Sequence, residues 1–268
     1  GSKGLGKSTF AYHFINFILS YNEPKKYSLE TLTIDYENRS YKTVCNNTNP
    51  NFSLLENDIF EENIKIDKIR NLLKFLNKST YSSDIKIILI DNAEYLNLNS
   101  SNALLKVLEE SNNKTFFFIV HNSDKKILNT IKSRSIEFKF FLSIEKKKEI
   151  LKDISKPYEN SLDLSVINDD LFVDTPGNIL RYLLILKEGD INFSDDKLDI
   201  ISHLIKNYKS NDDINLINFL KLLIELFYKE LSANSNVNIP LYSINKFNLL
   251  SEINKAKTFN LDKKNLFS

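Results

Sequence analysis

The sequence predicts an α/β fold, a parallel sheet behind a phosphate-binding loop, followed by an all-helical C-terminal half. Three observations carry the prediction. Residues 1–8 read Gly-Ser-Lys-Gly-Leu-Gly-Lys-Ser, which fits G-x-x-x-x-G-K-[ST] without a mismatch. An apolar run, Ile87-Ile88-Leu89-Ile90, ends at Asp91, the pattern of a buried parallel strand with an acidic residue at its carboxyl end. After Phe141 the apolar residues recur at helical rather than alternating spacing.

At the N-terminus, Gly1, Gly4 and Gly6 let successive backbone N–H groups turn inward around phosphate oxygens, and the following helix offers its positive end. Lys7 is placed to reach the β and γ phosphates and Ser8 to ligate Mg²⁺, with Thr9 completing the loop. Phe10, Ala11, Phe14, Phe17 and Ile18 recur at helical spacing, so the loop leads into a helix. The alternative is a tag remnant, Gly1-Ser2, ahead of a chance lysine-rich turn. The expected parallel sheet is N-terminally truncated, because the strand that precedes such a loop would lie before Gly1.

Asp91 is the second candidate for Mg²⁺, directly or through water; the competing reading is a helix cap or turn former. Asn92, an amide, follows it and cannot accept a proton from water, while Glu94 is expected in a helical turn as a capping or packing group. ATP with Mg²⁺ is therefore expected to bind without efficient hydrolysis.

The helical segment Asn99 to Glu110, NSSNALLKVLEE, is followed by a predicted strand, Phe116 to Val120, then by His121-Asn122 and by Ser133-Arg134-Ser135. Together with the I-x-I-D-x-I-R segment at Ile64 to Arg70 and the chain end Phe259-Asn260-Leu261-Asp262, this order resembles the bacterial clamp loaders. These are AAA+ proteins, and within them the likeness is to the DNA polymerase III delta prime subunits. The specific motifs lie in the first 135 residues.

The resemblance implies three domains: an AAA+ nucleotide-binding domain at 1–142, a helical lid at 143–188 and a helical collar at 189–268. It implies that Arg134 acts in trans as an arginine finger on a neighbour's γ-phosphate, and that Asn122 occupies the sensor 1 position. A surface ion pair is the competing reading of Arg134. Gly177 stands where motor subunits carry the sensor 2 arginine; Arg181, one turn later, is a possible substitute. The implied role is that of a stator, in a hetero-pentamer with gamma/tau and delta subunits, helping to load the sliding clamp on primed duplex DNA. An active gamma/tau-type motor, or a P-loop ATPase outside replication, is the alternative.

Composition bounds the rest. Lys plus Arg is 36 and Asp plus Glu 35, so no whole-molecule charge favours nucleic acid. Lys68 and Arg70, on a helix expected over Ile64 to Leu76, and Lys106 on the next could contact duplex phosphates or form a solvated face. Only four residues are arginine, Arg39, Arg70, Arg134 and Arg181, and each hints that the guanidinium itself is wanted. A single cysteine, Cys45, excludes a four-cysteine zinc module, so no zinc is expected. The apolar helix from Ile214 to Leu231 carries Lys221, Glu225 and Lys229 and falls short of the ~18 uncharged residues a membrane span needs. It must be buried on several sides, in its own domain or against partner subunits. No signal peptide is visible, and a cytoplasmic location is expected.

Overall fold

A computed structural model describes residues 1–57, 63–78, 85–122, 127–158, 169–191, 196–210, 214–233, 246–248, 250–251 and the single positions 162, 164 and 167. It divides into two compact units, Gly1–Phe141 and Leu142–Ser268.

In the first unit, Gly4 and Gly6 have φ of 85° and 80°, left-handed values that favour glycine, and Gly6 caps helix α1, Lys7–Leu19. Helix α2, Arg39–Cys45, starts where Asn38 accepts a hydrogen bond from the backbone N–H of Tyr41. There follow strand β1 (Phe52–Leu55), helix α3 (Ile66–Leu76), strand β2 (Lys86–Ile90), helix α4 (Leu98–Glu110), strand β3 (Thr115–Ile119) and a short helix α5 (Asn129–Lys132). The three strands are parallel in the order β1-β2-β3, with Ile87 paired to both Phe52 and Phe116.

Strand β2 is buried on both faces, which is why it reads as an unbroken apolar run. Ile88 and Ile90 pack with Ile69, Leu72, Leu104 and Val107 from α3 and α4. Ile87 and Leu89 pack with Ala11, Ile15 and Val44 from α1 and α2. Two helical layers therefore cover the sheet and leave its carboxyl edge for ligands.

Several expected bounds move. Helix α3 begins at Ile66, because Ile64 is held outside it by a bridge to Leu96 and by Ser100 Oγ, which donates to its carbonyl at 2.7 Å. The strand expected at Phe116 to Val120 runs from Thr115 to Ile119. Ile136 and Phe138, which alternate with charged residues, and Phe141 lie in no strand among the described residues, and their side chains are exposed.

The second unit holds helices α6 (Ile144–Ser155), α7 (Pro176–Glu188), α8 (Lys197–Ser210) and α9 (Ile214–Ala233). Ser143 caps α6 through the Lys146 N–H, and Pro176 sits in the first turn of α7, where its missing N–H costs nothing. Leu216, Ile217, Phe219, Leu220 and Leu223 of α9 pack with Tyr182 and Leu186 of α7 and with Ile200 and Leu204 of α8. The all-round apolar character of α9 is thus satisfied inside its own unit. That core spans position 188, where the sequence places a boundary between lid and collar. Phe259 to Asp262 lie outside the described residues. Among the described residues, no helix is long and apolar enough to cross a membrane.

Candidate nucleotide site

The amino end of α1 meets the carboxyl ends of β2 and β3. Ser8 Oγ lies 2.9 Å from both oxygens of Asp91 and donates to that carboxylate. Asp91 Oδ1 also accepts from the N–H of Asn92 at 2.9 Å. Lys7 Nζ donates to the carbonyls of Gly1 (2.9 Å) and Ser2 (2.5 Å) and to Asn122 Oδ1 at 2.8 Å. Residues separated by more than eighty positions in the chain, Lys7, Ser8 and Asp91 from the motifs and Asn122 from the resemblance, therefore converge on one locus. The hydroxyl of Ser8 and the carboxylate of Asp91 are hard oxygen donors side by side, a set that suits Mg²⁺. Among the described residues, no group of three or more His, Cys, Asp or Glu side chains is placed to hold a metal ion.

Asn92 has φ 56° and ψ 52°, left-handed values that Asn tolerates better than most residues. It opens a 3-10 turn, Ala93–Tyr95, which brings Glu94 back over the end of β3. Glu94 does more than the capping or packing expected of it. Its Oε2 accepts from the Asn122 backbone N–H at 3.1 Å and its Oε1 from the Asn122 side-chain amide. Asn92 Oδ1 accepts from the same amide at 3.2 Å. Nothing in the spacing of Asp91, Asn92 and Glu94 reveals this, since it depends on the left-handed turn and on β3 lying beside β2.

Tyr12, one turn along α1 from Ser8, packs its ring near Phe52. Burial, reinforced by the negative charges of Glu56 and Asp91, pushes its phenol up to about 12. Lys86, at the far end of β2, is buried and donates to the carbonyls of Phe75 (2.9 Å), Leu76 (2.6 Å) and Lys78, closing the end of α3.

Arg134 lies just beyond α5. Its guanidinium pairs with Glu109 Oε1 at 2.5 Å and donates to the Thr130 carbonyl at 3.1 Å. Glu109 belongs to the NALLKVLEE motif, so two motifs distant in sequence touch here. With 42% of its side chain exposed, the arginine gains little from the pair, within about 1 kcal/mol. Such a contact does not lock the side chain in place.

Residues 1–143 match the family described as DNA polymerase III, delta subunit. The chain belongs to this clamp-loader family. A DNA polymerase III subunit delta' of Pseudomonas aeruginosa is 28% identical over 137 residues, 51% of this chain and 40% of that protein. The subunit delta' of Buchnera aphidicola subsp. Acyrthosiphon pisum is 26% identical and covers 76% of this chain and 71% of its own length. A subunit gamma/tau of Mycoplasma genitalium is 28% identical over 86% of this chain, which spans 37% of that longer protein. A crystal structure of a DNA polymerase III gamma subunit-related protein from Thermotoga maritima aligns over 80% of each chain with 20% identity and a TM-score of 0.42, a likeness too loose to carry an argument.

Within the clamp-loader family, the motifs at Gly1–Ser8, Asp91 and Asn122 are those that the structure brings together, whereas Arg134 stands apart, beside α4 and α5. Arg181 lies on α7 in the second unit.

Proposed function

We propose that this chain is a delta prime-type stator of the DNA polymerase III clamp loader. In this reading it binds ATP with Mg²⁺ through Gly1, Gly4, Gly6, Lys7, Ser8, Thr9 and Asp91, hydrolyses it poorly, and offers Arg134 to a neighbouring subunit. The commitment of Glu94 to Asn122 is the observation that carries it. The carboxylate nearest to Asp91 in sequence uses both oxygens to accept from Asn122, and residue 92 supplies an amide instead. Glu94 is thereby turned onto Asn122, and the amide at residue 92 cannot take a proton from an attacking water.

The remaining groups suit retention of a nucleotide. Lys7 and the loop N–H groups would bind phosphate oxygens, and α1 presents its positive end. Ser8 and Asp91 would hold Mg²⁺, which supplies charge neutralisation on the phosphates. Arg134, weakly held by Glu109, would exchange that carboxylate for a partner's γ-phosphate, where a guanidinium stabilises charge developing on the transferred group. Gamma/tau and delta subunits, the sliding clamp and primed duplex DNA are the partners this role requires.

The test is ATP turnover. The purified chain should show negligible turnover alone, whereas Arg134→Ala should depress turnover of the reconstituted complex, by roughly 10³–10⁵-fold at the one neighbouring site it serves. Because its ion pair is exposed, the same substitution should leave the fold intact. Robust turnover by the isolated chain would instead favour a gamma/tau-type motor, a reading supported by the intact Lys7–Ser8–Asp91 geometry.

A further inference from the structure

Asn122 is buried, and each polar atom of its side chain has a partner of fixed polarity. Lys7 can only donate, and it meets Oδ1 at 2.8 Å. The Glu94 carboxylate can only accept, and it takes the side-chain Nδ2 and the backbone N–H. Asn92 Oδ1 accepts from the same Nδ2. Turning the amide over would set its N–H groups against an ammonium and its oxygen against a carboxylate. Its neighbours, then, decide which end faces the phosphate loop.

We infer that Glu94 is a positioning residue which holds the Asn122 carbonyl oxygen toward the phosphate loop, so that Asn122 adds nothing to the selection of a nucleoside triphosphate over a diphosphate. The inference rests on the reading that this locus binds nucleotide. To add to the selection of a triphosphate, Asn122 would have to aim a donor at the terminal phosphate, and the end it directs at the loop is an acceptor. Asn122 acts on a bound nucleotide only through Lys7, whose charge serves the phosphates of both ligands. A stator that keeps its nucleotide regardless of hydrolysis has no use for the distinction.

The 268-residue chain, titrated with fluorescent N-methylanthraniloyl ATP and ADP in Mg²⁺, tests this. Asn122→Ala should change the ratio of the two affinities by less than about threefold, well below the tenfold or more that one hydrogen bond to a charged phosphate provides. Glu94→Gln, whose amide can meet Asn122 either way round, should shift the ratio toward ATP by about tenfold. A wild-type preference for ATP of tenfold or more that disappears in Asn122→Ala overturns the inference. If neither nucleotide binds, the binding reading itself fails, and the ¹⁵N spectrum of the nucleotide-free chain still judges Glu94. Slowly exchanging Asn122 side-chain protons that lose protection in Glu94→Gln uphold its positioning role; unprotected protons in the wild type refute it.

Discussion

Replacing Asn92 by alanine and by glycine should reverse the order of stability that these residues show at ordinary positions. In regular helix or strand, glycine is less stable than alanine by about 0.5–1 kcal/mol, because its unfolded chain has more conformations to lose. At φ 56° and ψ 52°, alanine instead pays about 1–2 kcal/mol for its Cβ, while glycine pays nothing. Both variants lose the same hydrogen bond from Asn122, worth about 0.5–1.5 kcal/mol, so that loss cancels in the comparison. Glycine should therefore be the more stable by about 0.5–1 kcal/mol. With a urea slope of about 1–3 kcal/mol per molar, this separates the midpoints by a few tenths of a molar. Far-UV circular dichroism suits the measurement, because the chain has no tryptophan. An alanine variant as stable as the glycine variant would show that the Asp91–Glu94 turn is not strained at residue 92. The account of how Glu94 reaches Asn122 would then fail.

Two further predictions concern groups that position the site without touching it. Lys86→Met should cost roughly 2–4 kcal/mol in urea unfolding, because it strips the donor from three carbonyls at the end of α3 while keeping the volume of the stem. A loss below about 0.5 kcal/mol would mean that solvent satisfies those carbonyls equally well. For Tyr12 the folded phenol is raised from 10.0 to about 12, so the folded chain binds this proton more tightly than the unfolded one. Its contribution is complete below pH 10, and it disappears as pH climbs toward about 12. After allowance for partial exposure, at most about 2 kcal/mol should be lost across that window. Tyr12→Phe should flatten this part of the pH profile relative to wild type; an unchanged profile would place the phenol in a solvated environment.

The legible parts of the chain are those where chemistry demands particular residues at fixed local spacing. The phosphate loop is one case, since a left-handed backbone at Gly4 and Gly6 and a cation at Lys7 must fall within a few positions. Strand β2 is another, because burial on both faces leaves no room for alternation before the terminal Asp91. Ser143 as an N-cap and Pro176 in a first helical turn likewise mark the starts of α6 and α7. Bounds were less legible wherever a long-range contact competes with local propensity. Ile64 reads as the start of α3, yet its backbone is taken by Leu96, Tyr95 and Ser100 from the β2–α4 region.

By itself, then, the sequence determined the phosphate-loop motif and the buried strand that ends at Asp91, marked Lys7, Ser8, Asp91, Asn122 and Arg134 as candidates, and carried membership of the clamp-loader family. Tertiary structure decided which of those residues act on one another. Parallel pairing of β2 with β3 sets Asn122 beside the Asp91 turn, and the left-handed Asn92 swings Glu94 onto it. Contact between α4 and α5 gives Arg134 its exposed partner Glu109, and the packing of α7 with α8 and α9 buries a helix that the sequence leaves open to two environments. The physical reason is common to all of them. Local spacing specifies what a short segment can do, whereas hydrogen-bond polarity and burial at a distance depend on which segments the folded sheet and helices bring together.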